Sequence, residues 1–313
     1  MSNNKLTKKE KFDTVIKKNL ISLGISENAF TYSITQKDEK ISEYSLYFNK
    51  AEFDAFVKEM ETLYLKHLLK YRDGAGSELV EKNGRYGLTP PKMASVASSS
   101  RFCYLALRNG TDALVENKYI SGNDIEFEKE CRIFTDSPTA PQLDAFIEDA
   151  ECNIYIEAKC HEIFDSHNVK LKNKYWEYFE NNEVLHTALE KTQKGEEEFD
   201  LPLSLFGIDK SSSRFDIKQL ICHLIGIKEQ NKGKKAKLIY LFFEPIADND
   251  EDTALINKVF GDLTTEIESI FESDIIKRFC DDNNIELIAI KENSRIMEPL
   301  DLSNISYIYP KKK

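Results

Sequence analysis

The chain lacks the features that mark several common classes of protein. No apolar run approaches the roughly 20 residues that span a bilayer, and the opening MSNNKLTKKEKF contains no apolar core of a secretory signal. A GxxxxGK[ST] phosphate loop, a dinucleotide fingerprint and a G-x-S-x-G elbow are also missing. We therefore expect no membrane contact and no secretion, and neither a P-loop nucleotidase, a Rossmann dehydrogenase nor a serine hydrolase.

Cysteine is sparse and carries no pairing pattern. The six cysteines form no C-x-x-C pair, and most of them lie inside apolar segments. Such cysteines are typical of reduced core residues, and without a second spaced pair they do not favour a zinc site. The cysteine content thus predicts a cytoplasmic protein.

The net charge of −11 at first argues against a nucleic-acid partner. The excess acid is concentrated, however: residues 246–301 hold 5 basic and 15 acidic residues, whereas residues 1–92 hold 16 basic and 13 acidic residues. Local lysine clusters occur at 170–174 and 232–237, and they suit either a solvated surface or contact with phosphates. Charge alone therefore leaves DNA or RNA binding open.

Periodicity and turn residues predict a mixed α/β fold. With 313 residues and 41% hydrophobic content, the chain can bury one large core or two modest ones. Residues 30–49 suit either a hairpin or short strands, and residues 192–213 a long loop. We divide the chain into a mainly helical unit, 1–92, and a second domain, 93–313. The predicted helices span 5–24, 51–71, 98–110, 123–130, 168–191, 214–228 and 251–281, and the predicted strands span 131–136, 142–149, 152–160, 236–245 and 285–293.

The most informative segment is QLDAFIEDAECNIYIEAKC, residues 142–160, which predicts two adjacent strands. In the second strand, alternation places Tyr155, Glu157 and Lys159 on one face. If the strands pair as a hairpin, Asp144 of the first strand comes close to Glu157. Two carboxylates and an ammonium group then converge at one place.

This combination has a specific chemical use. Two carboxylates can hold a hard cation through oxygen, and a neighbouring lysine can orient a water or offset charge on a phosphate. A Glu and a Lys two residues apart on a strand are also typical of a solvated face. The apolar neighbours of Glu157, and a lone Asp144 between Leu143 and Ala145, favour a site.

These residues resemble the PD-(D/E)XK nuclease superfamily over roughly residues 115–295. The resemblance is carried by Glu128 (or Glu130) in EFEKECRIF, Asp144 in PQLDAF, and Glu157 with Lys159 in IYIEAK. The family's Pro-Asp is here Leu143-Asp144, with a proline two residues earlier. The resemblance implies a restriction-endonuclease-like α-βββ-α-β core, similar to bacterial proteins of that kind.

The resemblance also implies an activity and a set of site residues. It implies a Mg²⁺-dependent endonuclease acting on DNA, with RNA not excluded and Mn²⁺ as a substitute metal. The implied metal ligands are Asp144, Glu157, the backbone carbonyl of Ala158 and Glu128, and Lys159 orients the attacking water. Because cutting both strands usually needs two sites, a homodimer is an option.

Two choices within the site rest on helix geometry. On a predicted helix over 123–130, Glu128 and Glu130 point about 200° apart, and we choose Glu128 for the site. Gln219 and His223, four residues apart, share one face of the helix after the site. Gln219 is either a site residue, as in related nucleases, or an exposed edge residue, and His223 is more typical of a core histidine.

A second hypothesis from a different class also fits the sequence. The chain could be a catalytically silent relative that binds nucleic acid or a protein partner. Retention of all three residue types in order argues for the enzyme instead.

Overall fold

The computed structural model describes residues 7–37, 40–73, 78–84, 87–108, 125–137, 140–148, 152–295 and 302–310. The strands are β1 (Phe30–Lys37), β2 (Lys40–Phe48), β3 (Lys82–Gly84), β4 (Gly87–Thr89), β5 (Ile125–Glu130), β6 (Gln142–Glu148), β7 (Asn153–Lys159), β8 (Val169–Lys172), β9 (Glu198–Leu201), β10 (Ala236–Pro245), β11 (Ile285–Ser294) and β12 (Ile305–Tyr309). The helices are α1 (Lys8–Ser22), α2 (Lys50–Leu63), α3 (Leu65–Asp73), α4 (Ser99–Leu107), α5 (Asn173–Glu180), α6 (Glu183–Leu189), α7 (Ile217–Asn231), α8 (Asp250–Phe271) and α9 (Asp274–Asp282).

A six-stranded mixed sheet of order β12-β11-β10-β7-β6-β5 organises the chain. The strands β5, β6 and β7 pair antiparallel, β10 runs parallel to both β7 and β11, and β12 closes the edge antiparallel to β11. The nearly continuous apolar run of β10 suits this central place, since helices cover both of its faces. The mixed α/β class predicted from periodicity is confirmed.

Each face of the sheet carries its own apolar layer. On one face, Tyr155, Tyr240 and Phe242 pack with side chains of α7, α8 and α9. On the other face, Ile154 and Ile156 pack with side chains of α1, α2, α3 and α4. The described N-terminal helices therefore bury their apolar faces directly against the sheet.

Two aromatic contacts hold the N-terminal helices in place. The rings of Phe12 and Phe164 lie 5.1 Å apart between α1 and the 3-10 turn that follows β7. The guanidinium of Arg101 on α4 stands 4.1 Å from the ring centre of Phe48 and 4.2 Å from that of Phe56. An arginine between two aromatic faces gains cation–π attraction while its charge is withdrawn from water.

Several predicted elements need correction. Residues 125–130 form β5 rather than a helix, because Ile125 and Phe127 alternate with polar residues and fill the sheet face. The segment 131–136 is not a strand. The predicted helix 51–71 is interrupted at Tyr64, and that over 251–281 divides between α8 and α9. The 168–191 segment begins with β8, which pairs with β9 in the predicted loop, and β12 was not foreseen.

Among the described residues, no helix combines the length and hydrophobicity needed to cross a bilayer.

Candidate active site at the end of the central strands

In the paired strands β5 and β6, the side chains change from one face of the sheet to the other at Glu128 and Asp144. The register pairs Phe127 with Ala145 and Lys129 with Leu143, so Glu128 and Asp144 lie opposite each other. Phe127 and Ala145 pack on the α4 face, whereas Leu143 packs on the α7 face and Lys129 lies 4.3 Å from the Phe146 ring centre there. Glu128 at the turning point has a positive φ of 56°, which a non-glycine residue rarely adopts.

Because of this change of face, Asp144 departs from the regular alternation of β6 and lies toward β7. The β6–β7 pairing ends at Ala145 and Ile156, so Asp144 and Glu157 are the next residues beyond it. The Ala158 N–H donates to Oδ2 of Asp144 at 2.7 Å. Its carboxylate therefore occupies the gap where the two strands separate, next to Glu157.

Glu157 is a buried carboxylate on the otherwise apolar β7. It is 5% exposed, and a buried charge is costly unless it is paired and hydrogen-bonded. Its Oε1 accepts from Lys159 Nζ at 2.7 Å and from Gln219 Nε2 at 2.8 Å, and Lys159 Nζ also donates to Gln219 Oε1 at 2.7 Å. Each of the three side chains thus contacts the other two.

Lys159 keeps its proton in this setting. Burial by itself lowers the pKa of the ammonium, but the charges of Glu157 and Glu162 and the hydrogen bond to Glu157 more than offset it, so the pKa lies above its usual value. Two of its three N–H donors have partners among the described residues. Lys159 can therefore donate to a water or an anion, and it cannot serve as a general base.

Glu128 and Glu130, the two candidates for the upstream acid, occupy different environments. Glu130 is exposed and pairs with Arg132 at 3.1 Å. Burial raises the pKa of Glu128 to about 8, and the charges of Glu78 and Glu157 add to this effect. The structure thus places Glu128 beside the other acids, but on a strand. The predicted helix over 123–130, on which Glu128 and Glu130 were compared, is wrong.

The raised pKa of Glu128 gives a pH-dependent effect on stability. A carboxyl whose pKa is raised on folding contributes stability that is present below its unfolded pKa of about 4.3 and is lost as pH rises through about 8. In EDTA, Glu128→Gln should therefore be more stable than the wild type, by a margin that grows as pH rises between these limits and reaches roughly 2 kcal/mol at pH 8 after allowance for partial exposure.

Urea unfolding of Glu128→Gln and wild type at a series of pH values measures this margin. Glu130→Gln is the matched control, and parallel curves for Glu128→Gln and wild type would contradict the prediction.

Asp144 is an acid whose surroundings disfavour its charged form. Burial raises its pKa well above the usual range, and the charges of Glu157 and Glu128 act in the same direction, while Lys159 and the Ala158 N–H oppose them only in part. Such a group favours a proton or a bound cation.

His223 lies one helical turn after Gln219 and braces the site. It is 1% exposed, and burial lowers its pKa despite the charge of Glu157, which favours the neutral imidazole. Since the Gln142 carbonyl 3.1 Å from Nε2 can only accept, Nε2 carries the proton and Nδ1 accepts from the Tyr240 hydroxyl at 3.3 Å. The histidine thus ties α7 to the start of β6, two residues before Asp144.

Two further acids, Glu162 and Glu78, lie near the site. Glu162, in the turn after β7, accepts from Ser99 Oγ and from the Cys160 N–H, both at 2.8 Å. Although burial opposes ionisation, the charges of Lys159 and His161 and the hydrogen bonds from its own N–H and from Ser99 hold its pKa below the usual value. Glu78, 3% exposed, acts on Glu128 from the segment between α3 and β3. The position of Glu162 three residues after Lys159 suits either an approach to the site or the start of the loop that leaves it, whereas Glu78 lies in a segment without periodicity.

Asp144 and Glu157 are the candidate ligands for a magnesium ion. No group of three or more His, Cys, Asp or Glu side chains in the described part of the chain is arranged to hold a metal ion. Magnesium does not require three, because it usually keeps several waters and binds through one or two carboxylates. Asp144 and Glu157 would supply two, and a bound cation would offset the burial and the negative charges that raise the pKa of Asp144. The Ala158 carbonyl stays a predicted ligand.

The lysine clusters mostly contact protein groups. Lys170 pairs with Glu198 at 3.6 Å, and Lys174 donates to Ser137 at 2.8 Å. Three lysines of the second cluster lie 3.8–3.9 Å from acids: Lys234 from Glu148, and Lys235 and Lys237 from Glu286. Exposed pairs of this length are weak, so these lysines can exchange their partners for phosphates.

Comparison with known proteins adds no relative: no protein-family model, no curated protein and no solved structure matches this chain.

Proposed function

We propose that the protein is a Mg²⁺-dependent phosphodiesterase, of the kind that cleaves DNA as a restriction-type endonuclease. The observation that supports this most is the triangle of Glu157, Lys159 and Gln219 beside Asp144 in the gap between β6 and β7. A buried acid pair next to an ammonium group with an N–H to spare suits the hydrolysis of a phosphodiester.

Asp144 and Glu157 would hold the ion, with Glu128 completing the acidic surroundings. A bound Mg²⁺ supplies Lewis acidity to a phosphoryl oxygen and makes water more acidic. Lys159 donates a hydrogen bond to the attacking water and offsets the negative charge that grows on the phosphate. Gln219 holds the Lys159 ammonium and the Glu157 carboxylate in one geometry, and it has no charge of its own to compete with the substrate.

The proposal is consistent with the chain's net negative charge. The acids at the site attract the cation. The bound cation would then offset their negative charge, so that the phosphate can approach the carboxylates during cleavage. DNA affinity should come from exposed lysines and fall as salt rises. DNA as the substrate, and a homodimer for cutting both strands, belong to this proposal.

The test is a cleavage assay with the purified full chain. With Mg²⁺ or Mn²⁺, the protein should nick or cut plasmid DNA, and EDTA should stop the reaction, since no side chain serves as a covalent nucleophile in this scheme. Metal titration by calorimetry should show saturable Mg²⁺ or Mn²⁺ binding at millimolar concentration or below. A protein that binds no metal would be the catalytically silent relative instead.

A further inference from the structure

A small cavity lies beside Lys159, bounded by the turn after β7, the segment before α7 and the first turn of α7. Its volume is about 80 Å³, and Lys159, Arg214 and Gln219 form part of its wall, together with apolar groups such as Phe242 and Leu263. Because one ordered water needs only about 10–15 Å³ of such space, the cavity has room for several waters. That space suits a tetrahedral oxyanion.

The backbone of Arg214 makes a short hydrogen bond, whereas its guanidinium makes only long ones. The backbone N–H donates to Glu266 Oε2 at 2.6 Å, and the neighbouring Ser213 hydroxyl donates to the same oxygen at 3.0 Å. Glu266 is 3% exposed. The guanidinium, by contrast, reaches the Ile163 carbonyl and Asp262 only at 3.5 Å, the outer limit of a hydrogen bond. A nearby anion can therefore recruit the guanidinium without moving the backbone.

The acids around the cavity already have partners. Asp165 pairs with Lys9 at 2.6 Å, Asp216 accepts from the Gln219 N–H at 2.9 Å as the N-cap of α7, and Glu162 accepts from Ser99 and Cys160. The N-terminus of α7 adds positive potential at the same place. Lys159 and Arg214 are thus the charged groups of the described wall that have donors to offer an anion.

We propose that this cavity is a phosphate site, in which Arg214 binds a phosphate group of the substrate together with Lys159. That the phosphate belongs to a nucleic-acid chain rests on the proposed function; that the cavity takes a phosphate rests on the cavity itself. The guanidinium fork matches two phosphate oxygens, which a lysine cannot do. Arg214 would hold the phosphate against Lys159, where the hydrogen bond of the ammonium group acts on it.

The experiment is calorimetric titration of the full chain with inorganic phosphate in EDTA, which removes any contribution of metal. Wild type and the control Arg278→Gln, an exposed arginine on α9, should bind phosphate equally. Arg214→Gln should bind about tenfold more weakly or worse, since it loses a charge-assisted fork. Absence of saturable phosphate binding to wild type, or equal binding to Arg214→Gln, would overturn the proposal.

Arg214→Lys keeps the result decisive if the glutamine variant folds poorly. It retains the charge and loses the fork, so phosphate should bind severalfold more weakly than to wild type, and equal affinity would again count against the site. Phosphate binding that depends on Arg214 in a protein that cleaves no DNA would support the cavity and count against the nuclease. Metal-dependent cleavage together with equal phosphate binding by all variants would support the nuclease and count against the phosphate site in the cavity.

Discussion

Lys159→Ala should lower the rate of DNA cleavage by about 10²–10³-fold or more. Its Mg²⁺ binding should stay at least as tight as that of the wild type. The ammonium group stabilises charge on water and phosphate, so its loss removes the chemical step. It also pairs with Glu157 at 2.7 Å, so it competes with a cation for that carboxylate. Plasmid cleavage and Mg²⁺ calorimetry on the same preparations measure the two effects.

Stability adds a second measurement on Lys159→Ala. Removal of the lysine leaves Glu157 buried without a cation, so the metal-free variant should unfold at lower urea than the wild type, and added Mg²⁺ should restore much of the difference. The control is Lys258→Ala, which removes an exposed lysine of α8 and should change none of these quantities. Unchanged cleavage by Lys159→Ala would mean that the activity resides elsewhere or comes from a contaminant.

Asp144→Asn should lose both cleavage and Mg²⁺ binding, each by roughly a hundredfold or more, and yet fold more stably than the wild type. The amide oxygen can still accept from the Ala158 N–H, so the packing of the gap is kept. The buried negative charge is gone, and with it the repulsion from Glu157 and Glu128. A gain of stability together with a loss of function would show that the charge is retained for binding rather than for folding.

The sign of this stability change follows from the raised pKa of Asp144. The protonated carboxyl stabilises the fold below its unfolded pKa of about 3.9, and this contribution is lost as pH rises through the higher folded pKa. The advantage of Asp144→Asn in EDTA should therefore grow with pH and shrink when Mg²⁺ is added to the wild type. Asp282→Asn, at an exposed position, is the control. Retention of Mg²⁺ binding by Asp144→Asn would rule out Asp144 as a ligand.

Much of the sheet could be predicted because its strands carry their own pattern. β6, β7, β10 and β11 were placed within two residues of their observed ends, since alternation and continuous apolar runs are local properties. β5 was missed because four of its six residues are charged, and only the pairing with β6 shows that Ile125 and Phe127 reach the core. β12 depends in the same way on an edge that β11 offers.

The sequence by itself determined the kinds of residue and their order: an acid on each of two neighbouring strands, and a lysine two positions after the second acid. Alternation was enough to place Glu157 and Lys159 on one face of β7. Only the tertiary structure decided which other groups join them. The positive φ of Glu128, the exit of Asp144 from its strand pattern, and the approach of Gln219 and Arg214 arise from contacts between segments distant in the chain. Such contacts leave no periodic trace, because periodicity records which face of an element is buried and not what lies against it.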